Sequence, residues 1–141
     1  MSTDPRQVRD SLQRQSFMSL LGAHAPVVEH GHVVIELPFR PDLCQQNGYL
    51  HAGVVTSIAD SACGYAALTL MPPGSDVLSV EFKVNLLAPG RGEVFRADAR
   101  VVRSGRTLTV CQAEVTAVTA GQPDVSVALM QATLIARPRV S

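Results

Sequence analysis

Asp60 is the only charged side chain between His51 and Met71, within a stretch, Asn47 to Gly64, that reads NGYLHAGVVTSIADSACG. A lone carboxylate among apolar neighbours has to be paired, neutral or functional. Its chemistry allows two uses: attack on an electrophilic carbon, or removal of a proton from a water that attacks instead. The bland alternative is a carboxylate satisfied by local hydroxyls such as Thr56 or Ser57. Cys63, three residues on, is conceivable as a thiol nucleophile, but a small buried hydrophobe is the commoner role of such a cysteine. His30 and His32 flank a turn glycine with no carboxylate or thiol motif at ligand spacing. That arrangement favours surface turn residues over a metal site, and no metal or other cofactor is expected.

The element that must hold Asp60 is a helix. Val54 to Leu70 contains no proline and lies between the Asn47-Gly48 turn and Pro72-Pro73-Gly74. Gly53, Thr56, Ser57, Asp60, Cys63, Gly64 and Ala67 recur three and four apart along one stripe. Val55, Ile58, Ala62 and Tyr65 occupy the opposite side. A helix apolar nearly all round is a buried helix.

The remaining chain supplies its cover. Residues 4 to 21 read as one leading helix, with Asp4-Pro5 as N-cap and first turn and Gly22 at its end. Val27-Val28 and Val33 to Phe39 are strand material. Leu78, Val80, Phe82, Val84 and Leu86 alternate with Ser79, Glu81, Lys83 and Asn85, which predicts a strand with those two faces. Gly92 to Arg103, Arg106 to Val118 and Asp124 to Ala136 follow as strands, the first two joined at Ser104-Gly105. The expected order is helix, two short strands, buried helix, then four strands in a meander, with a frayed tail over 137–141. Strands grouped after a helix argue for an α+β fold with an antiparallel sheet. The 141 residues form about one domain.

Composition excludes several classes. Twelve basic residues balance twelve acidic ones, there is no Trp, and no basic run exists, so nucleic acid is a poor partner. No apolar run approaches membrane-spanning length and the N-terminus lacks a signal-peptide core, so a cytoplasmic location away from membranes is expected. Three scattered cysteines, Cys44, Cys63 and Cys111, fit reduced thiols.

The pattern Asn47-x3-His51-Ala-Gly53-x6-Asp60-x3-Gly64 resembles that of hotdog-fold acyl-CoA thioesterases of the phenylacetate-degradation (PaaI) type. Ser79-Val80-Glu81-Phe82, Leu86-Leu87-Ala88-Pro89-Gly90 and Arg103-Ser104-Gly105-Arg106-Thr107 fall where that family has comparable segments. The resemblance runs from about residue 12 to residue 136. It implies a long central helix wrapped by a six-stranded antiparallel sheet, an obligate homodimer that often pairs into a homotetramer, and hydrolysis of acyl- or aryl-CoA thioesters at the subunit interface. Many relatives carry His-Gly-Gly, and here the middle residue is Ala52, which keeps the backbone N–H but narrows the space beside it.

Thioester hydrolysis needs an attacking oxygen, a stabilised oxyanion and a thiolate leaving group. The resemblance makes Asp60 the nucleophile or general base. N–H groups around Ala52 and Gly53, at the positive end of the helix, would hold the oxyanion. His51 would orient that turn, Asn47 would contact the thioester or the water, and Ser79 would hold the water. Strict alternation, however, puts Ser79 on the face opposite Leu78 and Phe82. Arg91, Arg103, Ser104, Gly105 and Arg106 are the candidates for gripping the CoA phosphates, with Thr56 and Ser57 lining the substrate path. Two rival readings are a hotdog module that senses acyl-CoA without turning it over and a hydratase of the same fold. Retention of Asp60, and the absence of a DNA-binding segment or of a paired Asp-His motif, speak against them.

Overall fold

The computed structural model describes residues 2–140. Its centre is a 17-residue helix, here called α3 (Ala52–Leu68). The helix starts two residues before the predicted position because His51 caps it: the imidazole Nδ1 accepts the Gly53 N–H at 2.7 Å. At the far end the Thr69 hydroxyl donates to the Ala66 carbonyl at 2.6 Å and accepts the Gly31 N–H at 2.7 Å, and Pro72 lies just beyond.

Six strands curl around α3: β1 (His24–Glu29), β2 (His32–Pro38), β3 (Ser75–Leu86), β4 (Val94–Ser104), β5 (Leu108–Val118) and β6 (Val125–Pro138). All pair antiparallel in the order β1-β2-β4-β5-β6-β3. This is the α+β hotdog arrangement that the resemblance implies. One inward ladder runs Val33–Ala99–Ala113–Met130–Val84 across five strands. Ile58, Ala59, Ala62, Cys63, Ala66 and Ala67 of α3 are buried among such residues. Small side chains on the helix let the sheet approach it closely, which is why so alanine-rich a segment forms the core.

The structure departs from the sequence expectations in four places. The leading helix is two helices, α1 (Pro5–Arg14) and α2 (Ser16–Leu21), because Gln15 between them is extended. The meander holds only for β4 to β6. β3 pairs with β6 at the sheet edge, and the chain then crosses to put β4 beside β2. The expected single face of Leu78, Val80, Phe82, Val84 and Leu86 is broken by a bulge: Ser79 pairs Leu134 and Glu81 pairs Thr133, leaving Val80 as an extra residue. The bulge reverses the phase, so Ser79 and, beyond it, Phe82 and Val84 share the helix side with Leu134, Ala132 and Met130. The tail does not fray at 137, since Arg137 and Pro138 pair with Asp76 and Ser75 and the Arg139 N–H reaches the Gly74 carbonyl at 2.9 Å. Met1 and Ser141, the ends of the expected domain, lie outside the described residues.

Candidate active site

Asp60 sits in the middle of α3, half-buried, where the helix passes the bulged part of β3. The Ser79 hydroxyl donates to its Oδ1 at 2.6 Å. A bond this short fixes the rotation of the carboxyl group. Oδ2 makes no hydrogen bond among the described residues, so one oxygen of an oriented carboxylate is left for other work. The nearby hydroxyls do not satisfy Asp60. Ser57 donates instead to the Gly53 carbonyl at 2.6 Å, and Thr56 makes no side-chain bond among the described residues. The phase change at Val80 is therefore what brings Ser79 to Asp60, and the conflict seen in strict alternation disappears within a single chain.

The start of α3 is the second half of the site. The Gly53 N–H is engaged by His51 Nδ1, whereas the Ala52 N–H has no partner among the described residues. A Cβ on residue 53 would stand 2.9 Å from that Nδ1, so glycine is what lets the imidazole lie over the helix end. Of the N–H groups expected as oxyanion donors around residues 52 and 53, that of Ala52 is unpartnered among the described residues and that of Gly53 is taken by the His51 ring. Ala52 lines a cavity of about 450 Å³ together with Tyr49, Val55, Leu86 and Pro89. The Pro89-Gly90 turn presses on the loop before the helix. The Leu50 N–H donates to the Gly90 carbonyl at 2.9 Å, and a Cβ on Gly90 would meet the Leu50 carbonyl at 2.9 Å.

Asn47 is exposed in a turn closed by Gln45, and its side chain makes no hydrogen bond among the described residues. Arg91 lies against Tyr49, with its guanidinium 5.3 Å from the ring centre and donating to the phenol oxygen at 3.1 Å. Tyr49 is a site neighbour that the sequence reading missed, because the two residues are 42 positions apart. Arg103, Ser104, Gly105 and Arg106 are exposed at the β4–β5 hairpin. Arg91 and this hairpin lie at opposite ends of β4, about 30 Å apart at the usual rise of a strand, so one chain cannot bring them together. Cys63 is fully buried and burial pushes its thiol far above the ordinary range, while Cys111 is pushed up to about 12 for the same reason. Neither can act as a thiolate. His32 bonds Asp98 at 2.9 Å and His30 contacts the Thr69 carbonyl at 3.1 Å, which accounts for both turn histidines. Among the described residues no helix is long and apolar enough to cross a membrane.

Residues 47–123 match the thioesterase superfamily model. The chain belongs to the thioesterase superfamily. A solved thioesterase family protein from Silicibacter pomeroyi is 47% identical, with a TM-score of 0.91 over 94% of this chain and 97% of that one. A provisionally named esterase of Saccharolobus solfataricus is 33% identical over 62% of this chain, and the match spans only 61% of that relative's length. The 1,4-dihydroxy-2-naphthoyl-CoA hydrolase of Listeria monocytogenes is 28% identical over 68% of this chain and 78% of its own. The PaaI protein of E. coli, from its phenylacetic acid degradation operon, superposes with a TM-score of 0.80 at 20% identity, over 96% of this chain and 92% of that one, a likeness of fold.

Proposed function

We propose that the protein hydrolyses an acyl- or aryl-CoA thioester to the free acid and CoA, with Asp60 as nucleophile or general base. The observation that carries this is the Ser79-bound Asp60 carboxylate, half-buried on the central helix of a thioesterase-superfamily chain. The named CoA hydrolase among its relatives supports a CoA thioester as the substrate class.

Two routes fit the carboxylate. In one, Asp60 takes a proton from water as the water oxygen bonds the carbonyl carbon. The oxyanion then collapses, the C–S bond breaks, and the proton passes to the departing thiolate. In the other, Asp60 itself bonds the carbon and expels the thiolate, and water then cleaves the resulting anhydride. In both, negative charge grows on the carbonyl oxygen, where the Ala52 N–H and the helix dipole stabilise it.

Asp60 and the helix start are too far apart to serve one carbonyl within a chain: eight residues separate Ala52 from Asp60, about 12 Å of helical rise. A second copy removes the difficulty. β3 is an edge strand of 12 residues with Val80 56% exposed and Leu78, Phe82 and Leu86 also open. Such an edge invites antiparallel pairing with its own copy about a two-fold axis. Ser79 marks the level of Asp60 along β3, and Leu86, beside Ala52 in one cavity, marks the level of the helix start. A two-fold axis at Lys83 pairs Phe82 with the other copy's Val84 and, with Val80 bulged out, sets Ser79 opposite the other copy's Leu86. Each Asp60 then faces the other copy's helix start. The same symmetry carries the hairpin of one copy toward the Arg91 end of the other, where the two could share the CoA phosphates. The proposal therefore includes a homodimer, or a dimer of dimers, acting on cytoplasmic CoA thioesters.

The test is incubation of the purified protein with aryl, short-chain and long-chain acyl-CoAs in the presence of a thiol reagent. Release of free CoA from at least one, lost in Asp60→Asn, supports the reading. Binding without CoA release across the panel would favour a sensor and sink it.

A further inference from the structure

A cavity of about 490 Å³ opens from Asp60 and Ser79 and runs along α3 toward the leading helices. Val77, Leu134 and Leu68 supply its apolar wall, and Gly64 adds no side chain to it. Its side toward the leading helices is polar. Tyr65, 7% exposed, points its hydroxyl at Ser11 Oγ (3.3 Å) and receives Gln15 Nε2 (3.4 Å), while the Ser61 hydroxyl donates to Gln15 Oε1 (3.4 Å). Four polar side chains, two from α3 and two from the leading segment, thus converge, yet every bond among them sits at the long limit of hydrogen-bond geometry. The Ser79–Asp60 bond at the near end, 2.6 Å, shows the contrast. Groups held this loosely have bonding capacity that an inserted oxygen would use. Burial raises the Tyr65 hydroxyl's pKa, so it stays protonated and can donate.

We infer that this cavity is the acyl subsite, and that Tyr65 and Gln15 select acyl groups ending in a neutral hydrogen-bonding group such as a hydroxyl. The inference rests on the proposed thioesterase reading, since it takes the thioester carbonyl to lie at Asp60. Five residues of helix separate Asp60 from Tyr65, about 7.5 Å of rise. That span fits an aromatic ring or a six-carbon chain between the carbonyl and the terminal oxygen. A carboxylate terminus is excluded by charge, because Asp60 and Asp76 both line the cavity. Arg139 reaches Asp76 only at 3.4 Å, with both side chains half exposed, so it offsets that repulsion weakly. Methyl-ended chains would cover the four polar groups and leave them only their long mutual bonds.

The experiment compares kcat/KM for hexanoyl-CoA, 6-hydroxyhexanoyl-CoA and adipoyl-CoA in the wild type, Tyr65→Phe and Gln15→Leu. The wild type should prefer the hydroxylated chain by about tenfold, the scale of one well-made neutral hydrogen bond, and should turn over adipoyl-CoA worst. Tyr65→Phe, which keeps the ring and its packing, should abolish the preference, bringing the kcat/KM ratio of 6-hydroxyhexanoyl-CoA to hexanoyl-CoA from about tenfold to about one. Gln15→Leu should do the same from the break between α1 and α2, and decides the matter if Tyr65→Phe does not fold. Turnover of all three thioesters without discrimination, or discrimination unchanged in both variants, would overturn the subsite and leave the thioesterase reading intact. No CoA release from any of the three, in a protein that also fails on the wider acyl-CoA panel, would overturn both.

Discussion

At the scale of single residues the account turns on Asp60 and the bond it receives from Ser79. Asp60→Asn should lower kcat by about a hundredfold or more, the usual scale for losing a general base, while circular dichroism shows an unchanged fold. Ser79→Ala keeps the carboxylate but frees its rotation, so a smaller loss, about tenfold, is expected in the same assay. An Asp60→Asn enzyme with near-normal turnover would remove the carboxylate from the chemistry. Asp60 was legible in the sequence because it is the one charge in a long apolar helix. The Ser79 contact was less so, since alternation alone put Ser79 on the wrong side; one unpaired residue, Val80, changes the phase and nothing in its type announces that. Tyr65 was legible only as a core residue. Its hydroxyl matters through Ser11 and Gln15, which sit about fifty positions earlier on helices whose break at Gln15 the sequence did not signal.

At the scale of elements, the proposed oxyanion role falls to the start of α3. Ala52 is the first residue of the helix and His51 before it is extended, at φ −60° and ψ 137°. Both features suit proline at position 52, which removes the N–H without breaking the helix. Ala52→Pro should therefore reduce kcat by about a hundredfold to a thousandfold, as loss of one oxyanion donor does, with little change in melting temperature. Unchanged turnover in a folded Ala52→Pro protein would place the donor elsewhere. The helix itself was readable from its glycine and proline boundaries, and its early start follows from an unusual cap, an imidazole in place of a hydroxyl or carboxylate. Six strands were readable from alternation. Their order was not, because hairpin-length spacing between β3 and β4 looks like a meander, whereas the pairing is decided by the space left around the helix.

At the scale of the whole molecule, two candidate phosphate grips, Arg91 and the Arg103–Arg106 hairpin, lie at opposite ends of one sheet, and symmetry offers the way to unite them. Arg106→Ala should raise KM for an acyl-CoA with little change in kcat, and leave KM for the matching acyl-pantetheine untouched, since the truncated substrate has no phosphates to hold. An equal rise for both substrates, or none for acyl-CoA, would take Arg106 out of the site. Added salt should weaken the acyl-CoA interaction of the wild type in the same direction.

The central claim is that the carboxylate of one copy acts on a carbonyl held by the helix start of another. It is tested most directly by mixing two inactive proteins. Asp60→Asn and Ala52→Pro, unfolded together in equal amounts and refolded, should form mixed dimers that contain one intact site and one site carrying both lesions. With half of the dimers mixed and half of their sites whole, CoA release should recover to about a quarter of the wild-type rate. If each chain held a complete site of its own, every site in the mixture would carry one lesion. CoA release no higher than that of the separate variants, from a preparation shown to contain mixed dimers, would contradict the account.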